Sequence, residues 1–148
     1  MKKMSFTKLM SGMLAGKDPA PPMWLPVDRP YPRLMGLHPE PCGLLGREGL
    51  YAVWHLGVRP QWLRVGAAAN LGAALPQLAQ MSWVAAHKDN HGVFVAWAFA
   101  PENQIAGLVR YLGETLSPAY QREPFAGDRA LDPTVLSIAC PLPPGTQS

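Results

Sequence analysis

Charge is what this chain has least of. Only 16% of its 148 residues are Asp, Glu, Lys or Arg, against about 25% in an average soluble domain. Cysteine is almost missing: Cys42 and Cys140 are the only two and form no CxxC pair. That excludes a disulfide-dense scaffold, a zinc finger and an iron–sulfur site. No run of about 18 uncharged apolar residues occurs, which excludes a membrane-spanning helix. Internal repeats are also missing, so a solenoid or propeller is not expected.

What is present is apolar material and proline. Hydrophobic residues make up 48% of the chain, enough for the core of one domain of ordinary size. Proline accounts for 17 residues, roughly twice the usual ~5%. The net charge is +3. Residues 1–48 hold seven Lys/Arg against four Asp/Glu, residues 49–121 four against three, and residues 122–148 two against three. The cations are not clustered on one segment, so the basic balance lacks the patch that neutralising many phosphates requires. So sparse a charge fits a surface covered by a partner. It fits equally an alanine-rich composition with no functional meaning.

Four zones follow along the chain. In residues 1–17, Phe6, Leu9, Met10, Met13 and Leu14 fall on one face of a helix. Ser5, Thr7, Lys8, Ser11 and Gly12 interrupt the apolar run that a secretory signal needs, so the expected location is cytoplasmic rather than secreted. Such a short helix is marginal alone. Its apolar face needs a core, a partner groove or peripheral contact with a membrane surface.

Residues 18–48 are rich in proline, which precludes helix and central strand and predicts an extended arm. Met23, Trp24, Leu25, Val27, Tyr31, Leu34 and Met35 make that arm too apolar for a free linker. It is expected to lie across a surface of this domain or of another subunit.

Residues 49–121 form the compact part. Gly49–Leu56 and Trp62–Val65 read as a hairpin, turned at Val58–Gln61 and ended by Gly66. Ala67–Gln80 reads as a helix in which Pro76 is awkward. Lys88–Gly92 is a turn cluster, and the unbroken apolar run Val93–Phe99 is a buried central strand. A helix of about 15 residues opens at Pro101-Glu102-Asn103 and stops before Ser117-Pro118, with Ile105, Leu108, Val109 and Leu112 as its apolar stripe. Residues 122–148 form an irregular tail in which Leu131–Ala139 offers a short edge strand.

The order hairpin, helix, strand, helix and Pro-x-Tyr resembles the GIY-YIG nuclease domain. The matching residues are Gly49-Leu50-Tyr51, Leu63-Arg64-Val65-Gly66, Asn70-Leu71 and Pro118-Ala119-Tyr120-Gln121. The resemblance implies an α/β fold: a small antiparallel sheet flanked by helices, here with long proline-rich, irregular arms at both ends. The family's chemistry is metal-assisted hydrolysis of a DNA phosphodiester. It needs a tyrosine for proton transfer, an arginine facing developing negative charge, and a glutamate as a hard metal ligand. Tyr51 is kept, but Arg64 stands at the second motif's tyrosine, Val109 at the metal-binding glutamate and Gln121 at the closing asparagine. No Lys or Arg lies between Arg64 and Lys88 to supply the helical arginine.

Tyr51, Arg64, Val109 and Gln121 are therefore vestigial motif positions, and the balance leans against an enzyme, with no metal and no cofactor expected. Glu102 and Glu114 are weak replacements for the missing ligand. Glu114 sits five residues from Val109, far around the helix, and Glu102 suits the helix start. His38, His55, His87 and His91 lack ligand spacing. The expected role is an interaction or accessory subunit of a larger protein assembly. The alternative is a nucleic-acid-binding domain, or a residual metal-dependent nuclease. A small-ligand module in the vacated groove is a third reading. Binding candidates are Trp24 and Tyr31 in the arm, and Trp62 with Arg59 and Arg64 on the hairpin, where a base-stacking contact is arguable.

Overall fold

The computed structural model describes residues 21–27, 30–55, 61–87 and 92–143. Strand β1 (Gly49–His55) is the centre of a three-stranded antiparallel sheet, with β2 (Gln61–Ala68) on one side and β3 (Val93–Phe99) on the other. All of β1 is buried, as its lack of polar alternation requires.

Register assigns the two faces. Tyr51 and Val53 lie beside Gly66 and Arg64 of β2 and Trp97 and Val95 of β3. Leu50 and Ala52, pointing the other way, lie beside Ala67 and Val65, and Ala98 and Ala96.

Helices cover both faces. On the Tyr51 face, α1 (Leu71–Leu78) and α2 (Ser82–Ala86) supply Leu71, Leu75, Leu78, Trp83 and Val84, joined by Leu34 and Leu44 of the proline-rich stretch. On the other face, α3 (Glu102–Leu116) lays down Ile105, Leu108, Val109 and Leu112, and Cys140 of the tail joins them. The expected small antiparallel sheet with flanking helices is thus present.

Three local expectations are corrected. Gly66 does not end the second strand, which continues to Ala68 opposite Gly49. A side chain at Gly66 would place its Cβ 2.6 Å from the Tyr51 hydroxyl, so the glycine makes room for a phenol. The helix expected over Ala67–Gln80 accordingly starts at Leu71. Asn70 caps it, accepting from the Ala73 N–H and also from that of Gly46. Pro76 sits inside α1, the helix ends two residues later, and the separate helix α2 follows. Finally, Leu131–Ala139 forms no strand. Instead the Ile138 N–H bonds the Gly107 carbonyl and the tail crosses α3 there. A Cβ on Gly107 would lie 2.6 Å from Ile138 Cγ1. The third helix itself spans 15 residues and stops at Ser117, whose φ of 47° is left-handed, just before Pro118.

Segments of the same chain cover both outer strands. Along β3, Leu25 exchanges two backbone hydrogen bonds with Trp97, the Val95 N–H donates to Pro32 O, and the Leu34 N–H donates to Val93 O. Along β2, the N–H groups of Ala119, Tyr120 and Arg129 donate to the carbonyls of Trp62, Leu63 and Ala67. The arm of residues 21–48 therefore packs, in part, on its own domain. The helix expected in residues 1–17 lies outside the described residues, as do Arg59 and most of the Lys88–Gly92 turn. Among the described residues, no helix is long and apolar enough to cross a membrane.

Candidate functional site

An arginine in the apolar strand Trp62-Leu63-Arg64-Val65 needs a partner, because a buried unpaired charge is far more costly than a paired one. Arg64 is 4% exposed, and all of its guanidinium nitrogens are engaged. Nε donates to the Tyr51 hydroxyl at 2.9 Å, and Nη1 to the carbonyls of Tyr120 at 2.8 Å and Glu123 at 2.7 Å. Nη2 pairs with Asp128 Oδ2 at 2.6 Å. The circuit closes where the Tyr51 hydroxyl donates to Asp128 Oδ1 at 2.5 Å. Burial, reinforced by the Asp128 charge, raises the Tyr51 phenol far above its ordinary value. So placed, this phenol does not give up its proton near neutral pH.

Gln121 meets the same strand by a different device. Its side-chain carbonyl accepts from the Val65 N–H at 2.9 Å, and its amide donates to the Val65 carbonyl at 2.7 Å. The side chain thus pairs with β2 as a strand backbone would. Val109 lies in the apolar cluster on the opposite face from Tyr51, with Val65, Ala67 and Leu112. An open groove of about 490 Å³ is lined by Val109, Arg110, Glu114, Gln121, Leu131 and Asp132. Of the four positions aligned with the motifs, the structure brings Tyr51 and Arg64 into one buried circuit and sets Val109 and Gln121 along this groove.

The two carboxylates considered as replacement ligands have other partners. Glu102 and Glu48 both pair with Arg129, and Glu114 pairs with Arg110 at 3.1 Å. Among the described residues, no three His, Cys, Asp or Glu side chains group as a metal site. Burial pushes the Cys140 thiol up to about 11, the opposite of what a reactive cysteine needs.

The binding candidates separate in space. Trp24 is half-buried and its indole N–H donates to the Pro141 carbonyl at 2.7 Å. Tyr31 and Trp62 are both edge-on to Trp54, at 5.5 and 5.7 Å between ring centres, and Phe94 stacks on Trp54 at 6.1 Å with Arg33 over it. Arg64 faces away from this aromatic group, so a phosphate contact by Arg64 would require breaking its internal bonds. A second polar cluster joins His55 and His87, stacked at 4.7 Å, to Tyr120, whose hydroxyl lies 2.8 Å from His87 Nε2 and whose ring stacks on Trp83. Burial and the neighbouring His55 charge lower the His87 pKa.

Sequence reasoning missed Asp128. It is 64 residues from Arg64 in a tail without regular structure, so no spacing rule connects them. The usable signal was the lone arginine in an apolar strand, which demands a carboxylate from somewhere. Comparison with protein-family models, with curated proteins and with solved structures gives no match to this chain.

Proposed function

We propose that this chain is a catalytically inactive GIY-YIG-like domain serving as an interaction or accessory subunit of a larger assembly. One observation carries the reading. The tyrosine at the family's catalytic position is locked between Arg64 and Asp128, while valine stands where the metal ligand would be. The phenol that would move a proton is spent, together with Arg64, on fastening the tail to the sheet. Partner contact is assigned to the exposed apolar side chains of the proline-rich stretch, Met23, Val27, Met35 and Leu45, beside the binding candidates Trp24 and Tyr31. The test has two arms. Purified chain with supercoiled or branched DNA and Mg²⁺ or Mn²⁺ is expected to give no strand scission, and in native extract it is expected to elute in a complex larger than itself. Metal-dependent cleavage, or elution as a lone monomer, overturns the reading.

A second reading, nucleic-acid contact, draws on the partly exposed rings Tyr31, Trp62 and Phe94, seated around the buried Trp54, with Arg33 over Phe94. It predicts retardation of single-stranded DNA or RNA at low salt that weakens steeply as salt rises. No retardation at low salt removes it.

A further inference from the structure

Two leucines pin a loop of the proline-rich stretch. Leu34 and Leu44 are both buried in the cluster on the Tyr51 face. The residues between them are folded back by three backbone hydrogen bonds. The Leu37 N–H donates to the Leu34 carbonyl at 3.4 Å, the Gly43 N–H to the Glu40 carbonyl at 3.0 Å and the Leu44 N–H to the Pro39 carbonyl at 3.1 Å. Gly36, third in the first of these turns, has a φ of 83°, which that place in a type II turn requires. Pro39 and Pro41 fix φ in the middle of the loop.

So folded, the loop brings three side chains with soft donor atoms to one open cavity of about 470 Å³: Met35, His38 and Cys42. All three can be reached from solvent. Met35 is 46% exposed, His38 is exposed, and Cys42 is half-buried and in no disulfide. Their spacing, Met-x-x-His-x-x-x-Cys, matches no zinc motif, and one of the donors is a thioether, which zinc sites do not use. Thiolate and thioether together select monovalent copper, and imidazole accepts it as well. Charge selects in the same direction. One thiolate and a monovalent cation make a neutral complex. One thiolate and a divalent cation leave a positive charge beside Arg33 and the apolar walls Pro32, Leu37 and Pro41, which is costly.

We infer that Met35, His38 and Cys42 form a three-donor site for a soft monovalent cation, Cu(I). The Cys42 thiol releases its proton to solvent as the sulfur–copper bond forms. The Met35 thioether and the neutral His38 ring each add a lone pair, and no electron is transferred. The inference goes beyond the proposed subunit role and does not rest on it. Met35 lies in the stretch assigned to partner contact, so the test uses the isolated chain, and its failure leaves that assignment untouched.

Anaerobic titration of the reduced, full-length chain against the coloured Cu(I) complex of bicinchoninate tests it. The chain is expected to withdraw one equivalent of Cu(I) from the dye. Losing a group that merely orients a metal ligand costs about 10- to 100-fold in affinity. Cys42→Ala, which removes the anionic donor itself, is therefore expected to weaken binding at least about 100-fold, and Met35→Leu and His38→Gln about tenfold each. Cys140→Ser is expected to leave the titration unchanged, since Cys140 lies in the cluster on the opposite face. Urea midpoints of the metal-free Met35→Leu and His38→Gln chains are expected to stay with the parent's, so their losses report ligands and not the fold. X-ray absorption of the loaded chain is expected to show two sulfur neighbours and one imidazole nitrogen. No withdrawal of copper overturns the inference. So does binding that survives Cys42→Ala, which assigns the metal to the methionines of residues 1–23. Affinity unchanged by Met35→Leu, or displacement of the bound copper by equimolar Zn(II), overturns it as well.

Discussion

Asp128 closes a circuit with Arg64 across 64 residues of chain, its two oxygens taking one bond from the guanidinium and one from the Tyr51 hydroxyl. The arginine side chain is 5% exposed and the aspartate 21%. Breaking such a pair by removing one partner leaves a charge stranded in a poorly solvated place. Asp128→Ala is therefore expected to cost about 3 kcal/mol, the lower end of the range for buried pairs because Asp128 retains some solvent. Urea unfolding checks the value. A double-mutant cycle with Tyr51→Phe is expected to show strong coupling, since both substitutions cut the same circuit.

Tyr51 gives an alkaline signature. Its pKa is raised in the folded protein by burial and by the Asp128 charge, so the neutral phenol is the form that folding favours. Its contribution is complete below the unfolded value of about 10 and is lost as pH rises above it. Urea midpoints are expected to fall more steeply between pH 9 and 11 in the parent than in Tyr51→Phe. That variant itself is expected to lose about 1–2 kcal/mol at pH 7 from the missing hydroxyl bonds. Equal slopes in the two proteins would count against a buried, neutral Tyr51.

His87 supplies the acid counterpart. Burial and the His55 charge lower its pKa, so the neutral ring is favoured in the fold. The associated stability is present above about pH 6.5 and declines as pH falls below it. Thermal unfolding is expected to show a drop in Tm from pH 7.5 to pH 5 that His87→Gln reduces. The substitution's own cost at pH 7.5 reports the ring's contacts together, the His55 stack at 4.7 Å and the Tyr120 hydroxyl at 2.8 Å among them.

Gln121→Ala removes both bonds to the Val65 backbone. Those strand groups then depend on water reaching a partly buried site, at an expected cost of about 1–2 kcal/mol. The sharper readout is the Val65 amide, whose exchange is expected to quicken while the Ala52 amide in β1 keeps its protection.

Much of the scaffold was legible because its signals are local. The apolar run Val93–Phe99 matches β3 end to end, and the stripe Ile105, Leu108, Val109, Leu112 faces the sheet from α3. Errors arose where a distant contact decided the outcome. Gly66 reads as a breaker in isolation, yet it stays in the strand because the Tyr51 phenol occupies the space a side chain would fill. Leu131–Ala139 has the composition of an edge strand, but residues 119–121 and Arg129 already hold the β2 side and residues 25–34 the β3 side. The candidate site was harder still. Tyr51, Arg64 and Gln121 were marked by resemblance to motifs, but their actual bonds run to Asp128 and to backbone carbonyls, which leave no periodic trace.

The covers over the two outer strands differ in when they are made. Residues 25–34 leave the ribosome before any strand does, so β3 meets a waiting cap as soon as it forms. Residues 119–129, which shield β2, come after all three strands of the sheet in the chain. Until they dock, the outer edge of β2 presents unsatisfied carbonyls to its surroundings, a template for misplaced pairing between neighbouring chains. Premature termination before residue 119 would leave that edge open.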